Sequence, residues 1–158
     1  MNYYYILKEY EQNLMYIEDI LNTSSTTNNF PLEKLCKNIF GDLFIGVFTA
    51  DKYPKHISNG EMFIINNRKK QGEHWGAVAK YNNKMYAYDT FNRNIHKVSV
   101  FWKNNNWISA NKNRDQSYYE NDCGQRCVCW LISFYKYGPK IKNLYYIECI
   151  NYQNQLAL

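Results

Sequence analysis

The sequence predicts an α+β domain. Helical periodicity near the N-terminus, a run of short β-rich segments through the middle and one late helical segment give helices first, strands next and a helix late, rather than the regular alternation of α/β chains. Within that class the expected arrangement is a central, mostly antiparallel sheet packed against the late helix. With 158 residues, 46% apolar and 18% aromatic, the chain can bury one core of ordinary domain size. A single domain over 1–158 is expected, with a helical segment over about 1–40 and the core over about 41–158.

From Glu9 to Leu21, Leu14, Ile17, Ile20 and Leu21 recur at helical spacing before the polar run Asn22–Asn29 breaks the pattern. Pro31 is placed as a first helical residue, with Leu32, Leu35, Ile39 and Phe40 following and Gly41 as the stop, which predicts a second short helix. Phe44–Phe48 and Glu61–Asn66 are short Ile-, Val- and Phe-rich strand candidates separated by a Pro54-containing loop. Trp75–Tyr81 and Lys84–Tyr88 flank Asn82-Asn83, a dipeptide suited to the positive φ values of a two-residue turn, so an antiparallel hairpin ending at Asp89 is expected. Lys97–Trp102 and Trp107–Ser109 are strand candidates in a loop-rich stretch. Cys127, Trp130, Leu131 and Phe134 fall at i, i+3, i+4 and i+7 inside a helix expected over Cys123–Tyr137, stopped by Gly138-Pro139, and Leu144–Ile150 reads as a last strand.

No apolar stretch approaches the roughly 20 residues of a membrane span, and the first residues lack a basic segment followed by an apolar one. A soluble, non-secreted chain without membrane partners is expected. Five cysteines, an odd number without framework spacing, point to reduced thiols. The net charge is +5, yet the first 30 residues hold one Lys against four acidic side chains, so the remainder is more basic than the whole and suited to polyanion contact.

Three residues stand where thiol chemistry requires them. His74 opens one strand of the hairpin, Asp89 closes the other, and Cys123 begins a helix. The hairpin brings His74 and Asp89 to the same end, so a carboxylate can hold one imidazole nitrogen while the other faces a thiol. A helix N-terminus favours the thiolate form of a cysteine placed there. Gln116, seven positions before Cys123, is a side-chain donor available to an oxyanion together with the Cys123 backbone N–H. Cys36, Cys127, Cys129 and Cys149 read as small buried hydrophobes, and His56 and His96 as surface or hydrogen-bonded residues. A zinc site on Cys123, Cys127 and Cys129 is disfavoured, because structural zinc draws its thiolates from two separate segments; no metal is expected. The starting motifs of serine hydrolases, P-loop enzymes and zincins are absent.

The stretches LFIGVFTADKYP, EMFIINNRKKQGEHWGAVAKYNNKMYAYDTFNR and QSYYENDCGQRCVCWLISF resemble, over roughly Phe40 to Tyr137, the adenain-like cysteine proteases of adenoviruses, virophages and polinton-type elements. The similarity lies in an I-x-N loop leading to G-x-H-W, an Asp/Glu-x-F element and a Gln-x6-Cys-Gly-x-x-Cys block. The D-C-G triplet is shared with SUMO-type proteases of the wider clan. The resemblance implies a papain-like fold with Cys123 as nucleophile, His74 as general base and acid, Asp89 as orienting acid, Gln116 as oxyanion donor and Trp75 against the substrate site. It implies a monomeric endopeptidase that cuts capsid or core precursors after small residues, often glycine, in the virion or host cytoplasm.

No Cys lies between Asp89 and Cys123, so the disulfide-tethered activating peptide of adenoviral members is not expected, and a minimal, self-sufficient enzyme is. DNA as an activator is the one cofactor expectation. It rests on Arg68-Lys69-Lys70, a cluster that reads equally as a solvated loop. Two other functions compete with the maturation protease: a deubiquitinating or deSUMOylating protease on the same scaffold, and a non-catalytic basic module that binds nucleic acid through its Tyr, Lys and Arg side chains.

Overall fold

Asn2 caps the first helix, its side chain accepting from the Tyr4 amide at 3.2 Å, and α1 runs over Tyr3–Ile20. In the computed structural model, which describes residues 2–21, 28–68, 74–110 and 121–143, α1 therefore starts six residues before the predicted Glu9. Ile6, Leu7, Tyr10 and Ile17 form its buried stripe. Asn28 caps α2, Asn29–Phe40, in the same way. Pro31 is its third residue rather than its first, a position still tolerated because the first-turn amides have no intrahelical acceptor. Gly41 ends α2 at φ 59°.

Five strands form one mixed sheet in the order β1-β2-β3-β4-β5: β1 Phe44–Phe48, β2 Met62–Asn66, β3 Trp75–Tyr81, β4 Lys84–Tyr88 and β5 Ile108–Ser109. The expectation of a mostly antiparallel sheet needs correction. β2/β3 and β3/β4 are antiparallel, but β1/β2 and β4/β5 are parallel. Parallel neighbours need a long crossover, and residues 49–61 and 89–107 supply one at each edge. The hairpin forms as expected, with Asn82 and Asn83 at φ 47° and 63° and Ala77 opposite Tyr88. The predicted strand Lys97–Trp102 does not form. Ile95–Val98 is instead a single helical turn, α3, capped by Asn94, and Trp102 folds inward to donate its indole N–H to the Ala50 carbonyl at 3.2 Å. The predicted strand Leu144–Ile150 and Cys149 lie outside the described residues.

Every side chain of β2 is buried, and the pleat sends alternate ones to opposite faces. Met62 and Ile64 join β3 residues Trp75, Ala77 and Ala79 in a core against α1, α2 and α4, Cys123–Tyr137. Phe63 and Ile65 join Val78 and Ala87 under Tyr53, Ile57, Ile95, Trp102 and Trp107, which come from the crossovers. The architecture is thus α+β, helices on one face of a mixed sheet and crossover segments on the other. α4 lies along β3, with the Trp130 ring stacked on Tyr88 at 5.2 Å near the hairpin's open end and Phe134 against Tyr81 nearer its turn. At the far end Glu9 ties α1 to α4 by accepting from Lys136 at 2.6 Å and Tyr137 at 2.5 Å. No helix among the described residues is long and apolar enough to cross a membrane.

One glycine is required by close approach. A Cβ on Gly76 would lie 3.0 Å from the Tyr88 carbonyl oxygen, so β4 must move at its last residue to admit one. Gly76→Ala is expected to cost about 1–3 kcal/mol, read as a lower Tm, and to displace Asp89, the next residue after Tyr88. An unchanged Tm would show that the strand end yields freely.

Candidate active site

The same three elements that build the core deliver His74, Asp89 and Cys123 to one place. His74 precedes β3, and its carbonyl accepts from the Asn67 amide at 3.0 Å, which extends the β2/β3 ladder by one step. Asp89 follows β4. Cys123 is the first residue of α4, and because α4 lies along β3 its N-terminus sits at the end of the sheet where His74 and Asp89 meet.

His74 Nε2 and Asp89 Oδ1 are 2.5 Å apart in a buried contact, His74 being 7% and Asp89 2% exposed. With Nε2 committed to the carboxylate, Nδ1 is the ring nitrogen left for a thiol, and the Cys123 thiol lies near enough to the imidazole to raise its proton affinity. Burial pushes the imidazole toward its neutral form, yet the Asp89 carboxylate and the neighbouring Cys123 outweigh it and hold the group above its ordinary value. Burial likewise pushes Asp89 up, but donation from His74 and Arg93 holds its carboxyl far below the usual carboxylate range. The pair is an anion orienting a base, with the base aimed at a thiol.

Cys36, Cys123, Cys127 and Cys129 are all buried thiols, but they are not equivalent. Cys127 and Cys129 have no exposed surface, whereas Cys123 is 5% exposed. Burial and the neighbouring Glu33 push the Cys36 thiol far up, the environment of an inert cysteine. Cys123 has His74 beside it and stands at the amide end of α4, where the Asp122 side chain makes no cap. Asp122, the residue before it, does not leave an opposing charge there, because its carboxylate accepts from Arg126 Nε at 2.9 Å. Among the described residues no group of three or more His, Cys, Asp or Glu is placed to hold a metal.

Trp75 is 2% exposed and packed in the core shared with α4, which makes it a support beneath the site in this conformation. Gln116, Lys69, Lys70 and Glu73 lie outside the described residues; Arg68 is exposed. His56 is exposed, and the His96 amide donates to Asn94 in the cap of α3.

Three features escaped sequence reasoning. Phe91 stacks on the His74 ring with centroids 5.1 Å apart, and it is the aromatic of the Asp-x-F element. Asn66, fully buried opposite Trp75, accepts from the Arg68 amide at 2.9 Å while its Nδ2 finds no acceptor among the described residues. Arg93 donates its backbone N–H and Nε to Asp89 Oδ2 at 3.0 and 2.9 Å and its terminal nitrogen to Oδ1 at 3.0 Å. An Asp with an Arg four residues on was legible after the strand, but that spacing signals contact only in helices.

No family model, curated protein or solved structure matches this chain.

Proposed function

We propose that the protein is a cysteine endopeptidase of the adenain-like type, with a papain-like arrangement of sheet and nucleophile helix. The observation that carries this reading is His74, held by buried Asp89 through Nε2 and set beside the Cys123 thiol at the head of α4. A basic module that only binds nucleic acid has no use for this relay.

In the proposed reaction His74 Nδ1 takes the Cys123 proton, and the thiolate attacks a peptide carbonyl carbon. The oxyanion that forms accepts from the Cys123 backbone N–H and, by the resemblance, from Gln116. The imidazolium, stabilised by Asp89, gives its proton to the departing amine as the C–N bond breaks. Water, deprotonated by the same imidazole, then hydrolyses the thioester. The resemblance assigns as substrates the capsid or core precursors of a virus, cut after glycine-containing sites. It also makes DNA a candidate activator at the exposed Arg68 and its neighbours.

A peptide vinyl sulfone ending in Gly-Gly is expected to label one thiol, mapped by peptide mass to Cys123. Labelling shared among Cys36, Cys127 and Cys129, or no labelling of the folded protein, would overturn the proposal. Incubation with a capsid precursor at low and high salt, with and without DNA, tests the substrate. A cut after glycine supports maturation, whereas labelling with cleavage only of ubiquitin-like fusions assigns the scaffold to the other protease class.

A further inference from the structure

Asp89 and Arg93 are four residues apart, and exposed ion pairs at that spacing are ordinarily worth little. This pair differs in one partner: the carboxylate is 2% exposed while the Arg93 side chain is 42% exposed. Arg93 donates three hydrogen bonds to that carboxylate and His74 donates one. The turn after β4 is shaped to permit this. The Asn92 amide donates to the Asp89 carbonyl at 2.8 Å, and Asn92 takes φ 52°, a conformation Asn tolerates better than most residues. That reversal returns the Arg93 amide and guanidinium to the carboxylate they follow.

A second contact runs through an aromatic ring. The Arg93 guanidinium lies over Phe91 at 5.3 Å, and Phe91 in turn stacks on His74. Arg93 therefore bears on the imidazole along two routes, through the carboxylate that orients it and through the ring that walls it.

The geometry points to Arg93 as a positioning residue of this site: its fork and backbone amide fix the direction and the charge of the Asp89 carboxylate, so that Oδ1 holds His74 with Nδ1 turned to Cys123. The inference rests on the protease reading and deepens it. Planar two-point donation is what Arg supplies and Lys does not. A carboxylate gripped at both oxygens cannot rotate away from His74 without breaking several charge-assisted bonds. Without the donors Arg93 supplies, a buried carboxyl is drawn toward its neutral form.

Among the described residues, the charged and titratable groups at this cluster are His74 before β3, Arg93 after β4, and Cys123 with the mutually neutralising Asp122 and Arg126 at the head of α4. Replacing Arg93 removes a cation from that set, so protons on the remaining groups are held more tightly. The test is the NMR titration of the His74 imidazole in the full chain, beside the rate of glycine-site cleavage, for the parent, Arg93→Met and Arg93→Lys. In Arg93→Met the His74 midpoint is expected to rise by about half a pH unit or more, and cleavage at the pH optimum to fall about tenfold. In Arg93→Lys, which keeps the charge without the fork, the midpoint is expected near the parent's while cleavage stays reduced. A His74 midpoint unmoved in Arg93→Met overturns the inference, as does full activity in Arg93→Lys. Should Arg93→Met fail to fold, Arg93→Gln is read against the same criteria. Because the titration needs no substrate, a parent that neither cleaves nor labels would sink the protease reading while leaving the Arg93 coupling to be judged on the midpoint alone.

Discussion

Cleavage is expected to fall to background, by at least about 10⁴-fold, when Cys123 is replaced by Ala, with little loss of fold. The two halves of that expectation have separate causes. Activity disappears because the sulfur is the atom that bonds to substrate, and neither His74 nor Asp89 can supply a second nucleophile at that position. Stability survives because the substitution removes one atom from the first residue of α4, where the side chain borders His74 and a small exposed area, rather than from the middle of the packed face. A cost of about 1 kcal/mol or less is expected. Cys127, fully buried one turn further along α4, gives the opposite pattern: Cys127→Ala should lower Tm by several degrees and leave the activity of the folded fraction intact. Intact-mass mapping of a precursor digest, alongside thermal melts of both variants, reads all four values. Equal and small effects of both substitutions on cleavage would mean that the reactive thiol lies elsewhere.

The part of this site that could be read from the sequence is the part encoded by local chemistry. Asn82-Asn83 fixed the hairpin, because few dipeptides accept two successive positive φ values, and a hairpin of known length places His74 and Asp89 at one end. The span Cys123–Tyr137 was legible because an apolar stripe was bounded by Gly138, which ends the helix at φ 70°. What could not be read depended on contacts distant in sequence. Tyr3-Tyr4-Tyr5 looks no more helical than extended, and only the packing of Ile6, Leu7 and Tyr10 against the core decides for α1. Val98, Phe101 and Trp102 suit a strand, but Trp102 is buried beneath the Ala50 carbonyl and the chain turns to place it there. Parallel pairing of β1 with β2 leaves no local signature at all. Arg93 escaped for the same reason, since its partner is reached through a turn whose course depends on Asn92.

At Asp89 a large effect on stability is expected, and its pH dependence identifies the cause. In Asp89→Asn the amide oxygen can stay on His74 Nε2, but the amide nitrogen then faces the Arg93 backbone N–H and Nε, donor against donor. Arg93 must swing out to solvent, which its 42% exposure permits. A loss of about 2 kcal/mol near neutral pH follows from the broken charge-assisted bonds, with cleavage reduced about 10²-fold, because the base keeps its orientation but loses the anion that stabilises the imidazolium. The folded carboxyl lies below its ordinary value of 3.8, so its contribution to stability is complete above about pH 4 and is lost as pH falls toward the folded value. The imidazole is shifted the other way, above its ordinary 6.5, so its contribution is complete below about pH 6.5 and is lost as pH rises through the folded value. The two windows overlap between about pH 4 and 6.5, and there the parent should exceed Asp89→Asn in Tm by the widest margin, the gap closing on both sides. Melts of the two proteins from pH 3 to 9 measure it. A gap that stays constant across the range would mean that Asp89 acts through shape alone, and that the charge linking Arg93, Asp89 and His74 contributes nothing to the folded state.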